Sequence, residues 1–178
     1  HFPMHPLVDQ LAAVSGVRDL ERLDCALAQL LSETLGVPVV EVFVSISDGG
    51  RTHWLRRSHQ VRGAAQAPVA PAWIAPEDLP AFDELPVLAH CARSQLSQQA
   101  RAGGVCLSAF PLFSDPDSQG VVLLHTARPL SAKRQQMMFS LLHFYANFRD
   151  LVTENERDML TGLLNRKTFD ETFSRRAM

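Results

Sequence analysis

The chain has 178 residues, of which 46% are hydrophobic and 20% charged, with a formal net charge of -2. That is enough for one domain of ordinary size with an appendage and too little for two full catalytic domains. Acids and bases are mixed along the chain without the basic stripe that nucleic acid needs, and no apolar run approaches the ~20 residues that span a bilayer, so neither nucleic acid nor a membrane is an expected partner.

The amino end, "HFPMHPLVDQL", lacks a cationic region followed by an apolar one, and a cytoplasmic home is expected. Cys25, Cys91 and Cys106 are odd in number, far apart and without a CxxC pair, which fits reduced thiols better than a disulfide framework or a zinc site.

In chain order, "VRDLERLDCALAQLLSETL" (residues 17–35) repeats Leu20, Leu23, Leu27, Leu30, Leu31 and Thr34 at helical spacing, with Gly36 and Pro38 to stop it. "VVEVFVSIS" then alternates: Val40, Val42, Val44 and Ile46 fall on one face of a strand and Glu41, Phe43 and Ser45 on the other, before "DGG" turns the chain into a partner strand, "RTHWLRRSH". Residues 60–80 shift to alanine and proline, predicting a long loop with a short strand at Ala72 to Ala75. "DELPVLAHCARSQLSQQARAG" reads as a helix running to Gly103-Gly104. "VCLSAFPLF" and "GVVLLHTA" form a hairpin across the turn "SDPDSQ", and Ser131 can cap a helix with no breaker as far as Asp158. Helix, two strands, loop, helix, two strands and long helix make an α+β domain: an antiparallel sheet with helices mainly on one side and the last helix leaving the body.

In that last helix Met138, Leu141, Tyr145, Phe148, Val152, Asn155 and Met159 follow one another at spacings of three and four, a heptad seam. A rod of roughly 28 residues spans about 40 Å, more than one small sheet needs. Part of the seam can serve the chain's own core, widened by Phe139, Leu142 and Phe144. From Val152 on, the charged flanks leave a narrow stripe suited to a parallel homodimer, with Asn155 setting register.

The rod runs into "DMLTGLLNRKTF", residues 158–169. This string resembles the opening segment of GGDEF-type diguanylate cyclase domains, D-x-L-T-G-L-x-N-R-R-x-F. Asp158, Leu160, Thr161, Gly162, Leu163, Asn165, Arg166 and Phe169 stand at the matching positions and Lys167 is the single departure. Thr161-Gly162 is expected to break the helix and Asn165 to cap a new one, making a joint across which Asp158 and Arg166 pair. The region "SAFPLFSDPDSQGVVLLHTARPLSAKRQQMMFSLLHFYANF" resembles a GAF sensor domain in its succession of strand, acidic turn, strand and long helix. The organisation expected is a GAF-like sensor at 6–150, followed at 151–178 by a linker helix and the truncated start of a GGDEF domain.

The two resemblances together imply a regulatory and dimerisation module of a bacterial enzyme that joins two GTP molecules into cyclic di-GMP. Magnesium and GTP would belong to the output domain, since the Gly-Gly-acid-acid-Phe loop does not occur here. No catalytic residue and no metal ligand is therefore assigned to this chain. A degenerate output domain serving as a nucleotide-binding scaffold is the alternative, and a third reading is a redox enzyme on the GAF fold, for which Cys91 and Cys106 would have to lie within bridging distance.

A pocket for a small-molecule ligand of unknown identity is expected among Glu41, Phe43, Ser45, Trp54, His90 and His125. His125 on an apolar strand can equally be a hydrogen-bonded core residue. His90-Cys91 stands in reverse order to the Cys-His pair by which some GAF domains hold bilin, which speaks against chromophore attachment.

Overall fold

The computed structural model describes residues 20–65 and 75–177, with side chains described through residue 154. Helix α1 (Leu20–Leu35) turns Leu23, Leu27, Leu30 and Leu31 inward, as its spacing requires, while Thr34 is exposed and Leu35 takes its place in the core. Gly36 ends it at φ 64°, a left-handed conformation that costs glycine nothing. Strands β1 (Val39–Asp48) and β2 (Arg51–Val61) form the expected hairpin. Two 3-10 turns, Pro76–Asp78 and Phe82–Glu84, lead to helix α2 (Pro86–Ser94). Strands β3 (Gln98–Ala102), β4 (Val105–Ser114) and β5 (Gln119–Thr126) precede the long helix α3 (Ala132–Ala177). Ser131 caps α3 as expected, its Oγ accepting from the Arg134 N–H.

The five strands lie in the order β2-β1-β5-β4-β3, antiparallel throughout, so the fold is the α+β arrangement read from the sequence. α1 and α3 cover one face, packing Leu27, Leu31, Met138 and Tyr145 on Val40, Val42, Phe110 and Leu124. α2 covers the other face, where Leu88, Cys91 and Ala92 pack on Phe43, Trp54, Ala109 and Leu123. Both faces of β1 are therefore buried, and the alternation of the strand separates two helical coats instead of core from solvent.

Three expectations are corrected. The middle helix stops at Ser94, where Gln95 adopts φ 56° and caps it, and Gln98–Ala102 is an edge strand joined to β4 by Gly103-Gly104. These five residues carry no β-branched or aromatic side chain, and the strand is held by its ladder to β4, not by propensity. Met138, Leu141, Tyr145 and Val152 are buried within the chain itself, so this part of the heptad seam is spent on the domain's own core, with Phe148 packed at its margin. A period of three and four identifies a buried stripe without saying what buries it. Finally, α3 runs unbroken through Thr161 and Gly162 to Ala177; in a helix interior glycine costs about 1 kcal/mol relative to alanine, too little to end a helix by itself. The resemblance of residues 158–169 then rests on the string and not on a turn. The side chains of Asn155, Asp158, Leu160, Asn165 and Arg166 lie outside those described, as do residues 72–74 of the strand predicted at Ala72 to Ala75.

A polar cleft beside the exit helix

β1 and β2 end in the Gly49-Gly50 turn, with φ 56° and 81°, and the β4–β5 turn (Asp115–Ser118) stands nearby at the same end of the sheet. Between these turns, the 3-10 segment and α2 lies an open cleft of about 830 Å³. Ser45, Ser47 and Thr52 supply hydroxyls, Arg51 and Arg93 guanidinium groups, and Glu77, Asp83, Asp115 and Asp117 carboxylates.

The wall formed by Phe82 is built outward from the core. Trp54 is fully buried and donates its indole N–H to the Phe82 carbonyl at 3.0 Å, and the two rings stack with centroids 4.9 Å apart. The Arg93 guanidinium lies 4.9 Å from the centre of the same Phe82 ring and pairs with Asp83 at 2.8 Å. An aromatic ring between an indole and a guanidinium has both faces occupied, which fixes its plane. Behind Phe82 the space between α2 and the sheet is filled by Trp54, Phe43, Leu88, Cys91 and Leu123, so at this end of the sheet the described residues leave room for a ligand in the polar cleft.

Of the six residues expected to line a pocket, only Ser45 does so; its Oγ accepts from the Gln119 N–H at 2.8 Å. Phe43 and Trp54 are core residues of the α2 face. Glu41 is buried further along β1, accepting from Arg56 at 3.2 Å and pairing with His125 Nε2, so His125 is a hydrogen-bonded residue of the sheet. His90 is exposed on α2 and takes no part in the cleft. Arg51, Arg93, Asp115 and Gln119 escaped the sequence reading because they sit in separate loops and ends that only the folded sheet brings together. The one available signal was the density of acids and turn formers in "SDPDSQ".

The β4–β5 turn touches both coats of the sheet. On the α2 side, the Gln119 side-chain amide donates to the Ala92 carbonyl at 3.2 Å. On the other side, both carboxylate oxygens of Asp115 accept from Arg149 of α3, at 3.0 and 3.4 Å. Arg149 in turn lies 3.7 Å from the centre of the Phe113 ring. That ring occupies space a side chain at position 120 would need: a Cβ on Gly120 would stand 2.3 Å from it.

The cysteines do not form a redox pair. Cys91 belongs to the α2 cluster, whereas Cys106, in register with Thr126, alternates onto the face of Phe110 and Leu124. The sheet separates the two thiols, and burial pushes the Cys91 thiol up to about 12, far from the thiolate that redox chemistry uses. Among the described residues no group of three or more His, Cys, Asp and Glu is placed to hold a metal ion, and no helix is long and apolar enough to cross a membrane.

No protein-family model matches the chain, and no curated protein is similar to it. Solved structures are. The GAF domain of a GAF domain/HD domain protein from Geobacter sulfurreducens superposes with a TM-score of 0.50 at 16% identity, covering 78% of this chain and 97% of that one. The phycocyanobilin-bound GAF domain of a cyanobacterial phytochrome superposes with a TM-score of 0.51 at 12% identity, covering 86% of this chain and 98% of that one. The fold is that of GAF domains.

Proposed function

We propose that this chain is the sensory and regulatory module of a bacterial diguanylate cyclase, with the polar cleft as its ligand site and α3 as the exit helix that carries the signal. The observation that carries this reading is the placement of "DMLTGLLNRKTF" on the helix that leaves a GAF fold, where an output domain would be joined. In this reading GTP and magnesium bind the output domain, and two chains bring their output domains together through parallel exit helices. Pairing begins beyond Val152, since the earlier seam residues are buried in the domain itself.

A sensory role requires a ligand to bind one state of the module better than another. The filled interior and the charged, hydroxyl-lined cleft favour a small hydrophilic ligand over a large apolar chromophore such as a bilin. The test is to read the coding sequence beyond Met178 and assay the longer protein for cyclic di-GMP formed from GTP with magnesium. An intact Gly-Gly-acid-acid-Phe loop with product formed supports the proposal. A degenerate loop with GTP bound and no product makes the module the regulator of a nucleotide-binding scaffold, and absence of any such domain overturns both.

A further inference from the structure

We infer that the β4–β5 turn is the lever by which occupancy of the cleft reaches the exit helix, with Asp115 as the shared element. The inference rests on the cleft being the sensory site and names the route by which that site regulates α3. Asp115 lines the cleft and, with the same carboxylate, holds Arg149 in a two-bonded pair, the geometry that gives guanidinium–carboxylate contacts their directionality. A group that occupies the cleft at the end lined by Asp115 to Gln119 meets this carboxylate or displaces the turn that carries it. Neither can happen without changing the partner of a guanidinium on α3.

The turn is well placed to move as a unit. Its own closing bond is the Asp115 N–H to the Ser118 carbonyl at 2.8 Å, and Gln119 ties its far end to Ser45 and Ala92. Motion is thus confined to the segment between two fixed strands, and it faces α3 on one side and the cleft on the other. The helix side is held less completely. Arg149 is buried, yet its Nε has no hydrogen-bond partner, so its side-chain hydrogen bonds are the two from Nη to Asp115, with the Phe113 ring face and the charge of Asp24 also acting on it. A buried donor left unmet weighs against the arrangement in which Arg149 pairs with Asp115, and a two-state element needs two arrangements of similar energy. Loss of Asp115 would leave a largely buried cation without its hydrogen-bonded acid, with only the charge of Asp24 beyond it, and α3 around Arg149 would loosen.

The test fills the cleft with a probe that does not depend on knowing the ligand. Ser47 lines the cleft from β1, on a different segment from the turn, and is exposed, whereas the native cysteines are buried; Ser47→Cys labelled with fluorescein maleimide therefore places a bulky polar group in the cleft. Amide hydrogen exchange of residues 149–154 is then compared with and without the label, in the native background and in Arg149→Gln. Labelling is expected to speed exchange about tenfold in the native background, as for the loss of one partly exposed charge-assisted pair, and to add nothing in Arg149→Gln, where the link is already cut. An equal effect of the label in both backgrounds, or none in the native one, overturns the inference. Should Arg149→Gln fail to fold, Asp115→Asn removes the same pair from its exposed end and carries the same comparison. A cyclase assay that fails while the label still loosens the helix would sink the proposed function and leave the lever standing.

Discussion

Tyr145 on the exit helix donates its hydroxyl hydrogen to the carboxylate of Asp24 on α1, joining residues 121 positions apart in the chain. Arg57 of β2 donates to the other oxygen of the same carboxylate at 3.3 Å. Desolvation outweighs these two partners and Arg149, and it raises the Asp24 carboxyl from 3.8 to about 6. The raised value means that the folded state holds the proton more tightly than the unfolded chain does. The contribution of Asp24 to stability is therefore greatest at low pH, declines as pH rises from about 4 to about 6, and is flat above that. Denaturant titrations of the native chain and Asp24→Asn across this range should differ in slope, the variant lacking the decline; parallel curves would show that Asp24 does not titrate there. Tyr145→Phe removes one donor from the buried carboxylate and is expected to lower stability by roughly 1–3 kcal/mol at neutral pH.

Gly120→Ala puts a methyl group into the Phe113 ring, and a ring displaced by it disturbs the contact with the Arg149 guanidinium. A loss of about 1–3 kcal/mol is expected, as for other overpacked sites. Phe113→Leu in the same chain should recover part of it, and strictly additive losses in a double-mutant cycle would place the clash elsewhere.

Trp54→Ala empties a fully buried site and abolishes the hydrogen bond to the Phe82 carbonyl, at a cost of about 3–5 kcal/mol. The hole is bounded by Phe43, Phe82, Leu88 and Leu123, and an apolar hollow of this kind stays dry and takes small aromatic guests. Added indole should raise the melting temperature of the variant and leave the native chain unaffected. Failure to do so would indicate that α2 collapses onto the sheet.

Gln95 holds φ 56° at the end of α2, a conformation in which glycine is at ease and glutamine is not. Gln95→Gly forfeits the side-chain bond to the Ala92 carbonyl, and the net result is expected to be a gain of up to about 1 kcal/mol, visible as a higher urea midpoint at unchanged slope.

Much of the architecture could be read directly because the local pattern and the tertiary fold agree. Leu23, Leu27 and Leu31 repeat at helical spacing, and Gly36 stops their helix by the mechanism its φ displays. The β4–β5 hairpin followed from two apolar runs around "SDPDSQ". β3 was hidden because Gln98–Ala102 looks like the outer turn of a helix, and only Gly103-Gly104, both at positive φ, marked a two-residue hairpin. The seam of α3 misled in another way, since Met138 and Tyr145 meet the chain's own sheet in the same rhythm that a partner helix would demand. The cleft was least legible. Ser45, Arg93 and Asp115 become neighbours only after β1, β5 and β4 have paired and α2 has packed on them, and no local pattern records such an encounter.

The ladder between β1 and β2 skips a residue: Val42 faces Ser58 and Phe43 faces Arg56, leaving Arg57 over. That single extra residue changes the parity of the strand. Trp54 and Gln60 are both even-numbered and both buried, yet Trp54 joins the α2 cluster while Gln60 stands opposite Val40, whose side chain lies under α1 and α3. Arg57, at the crossover, reaches Asp24. One strand thus serves the cleft with its first half and helix α1 with its second, and the odd residue out is the one that meets the buried acid.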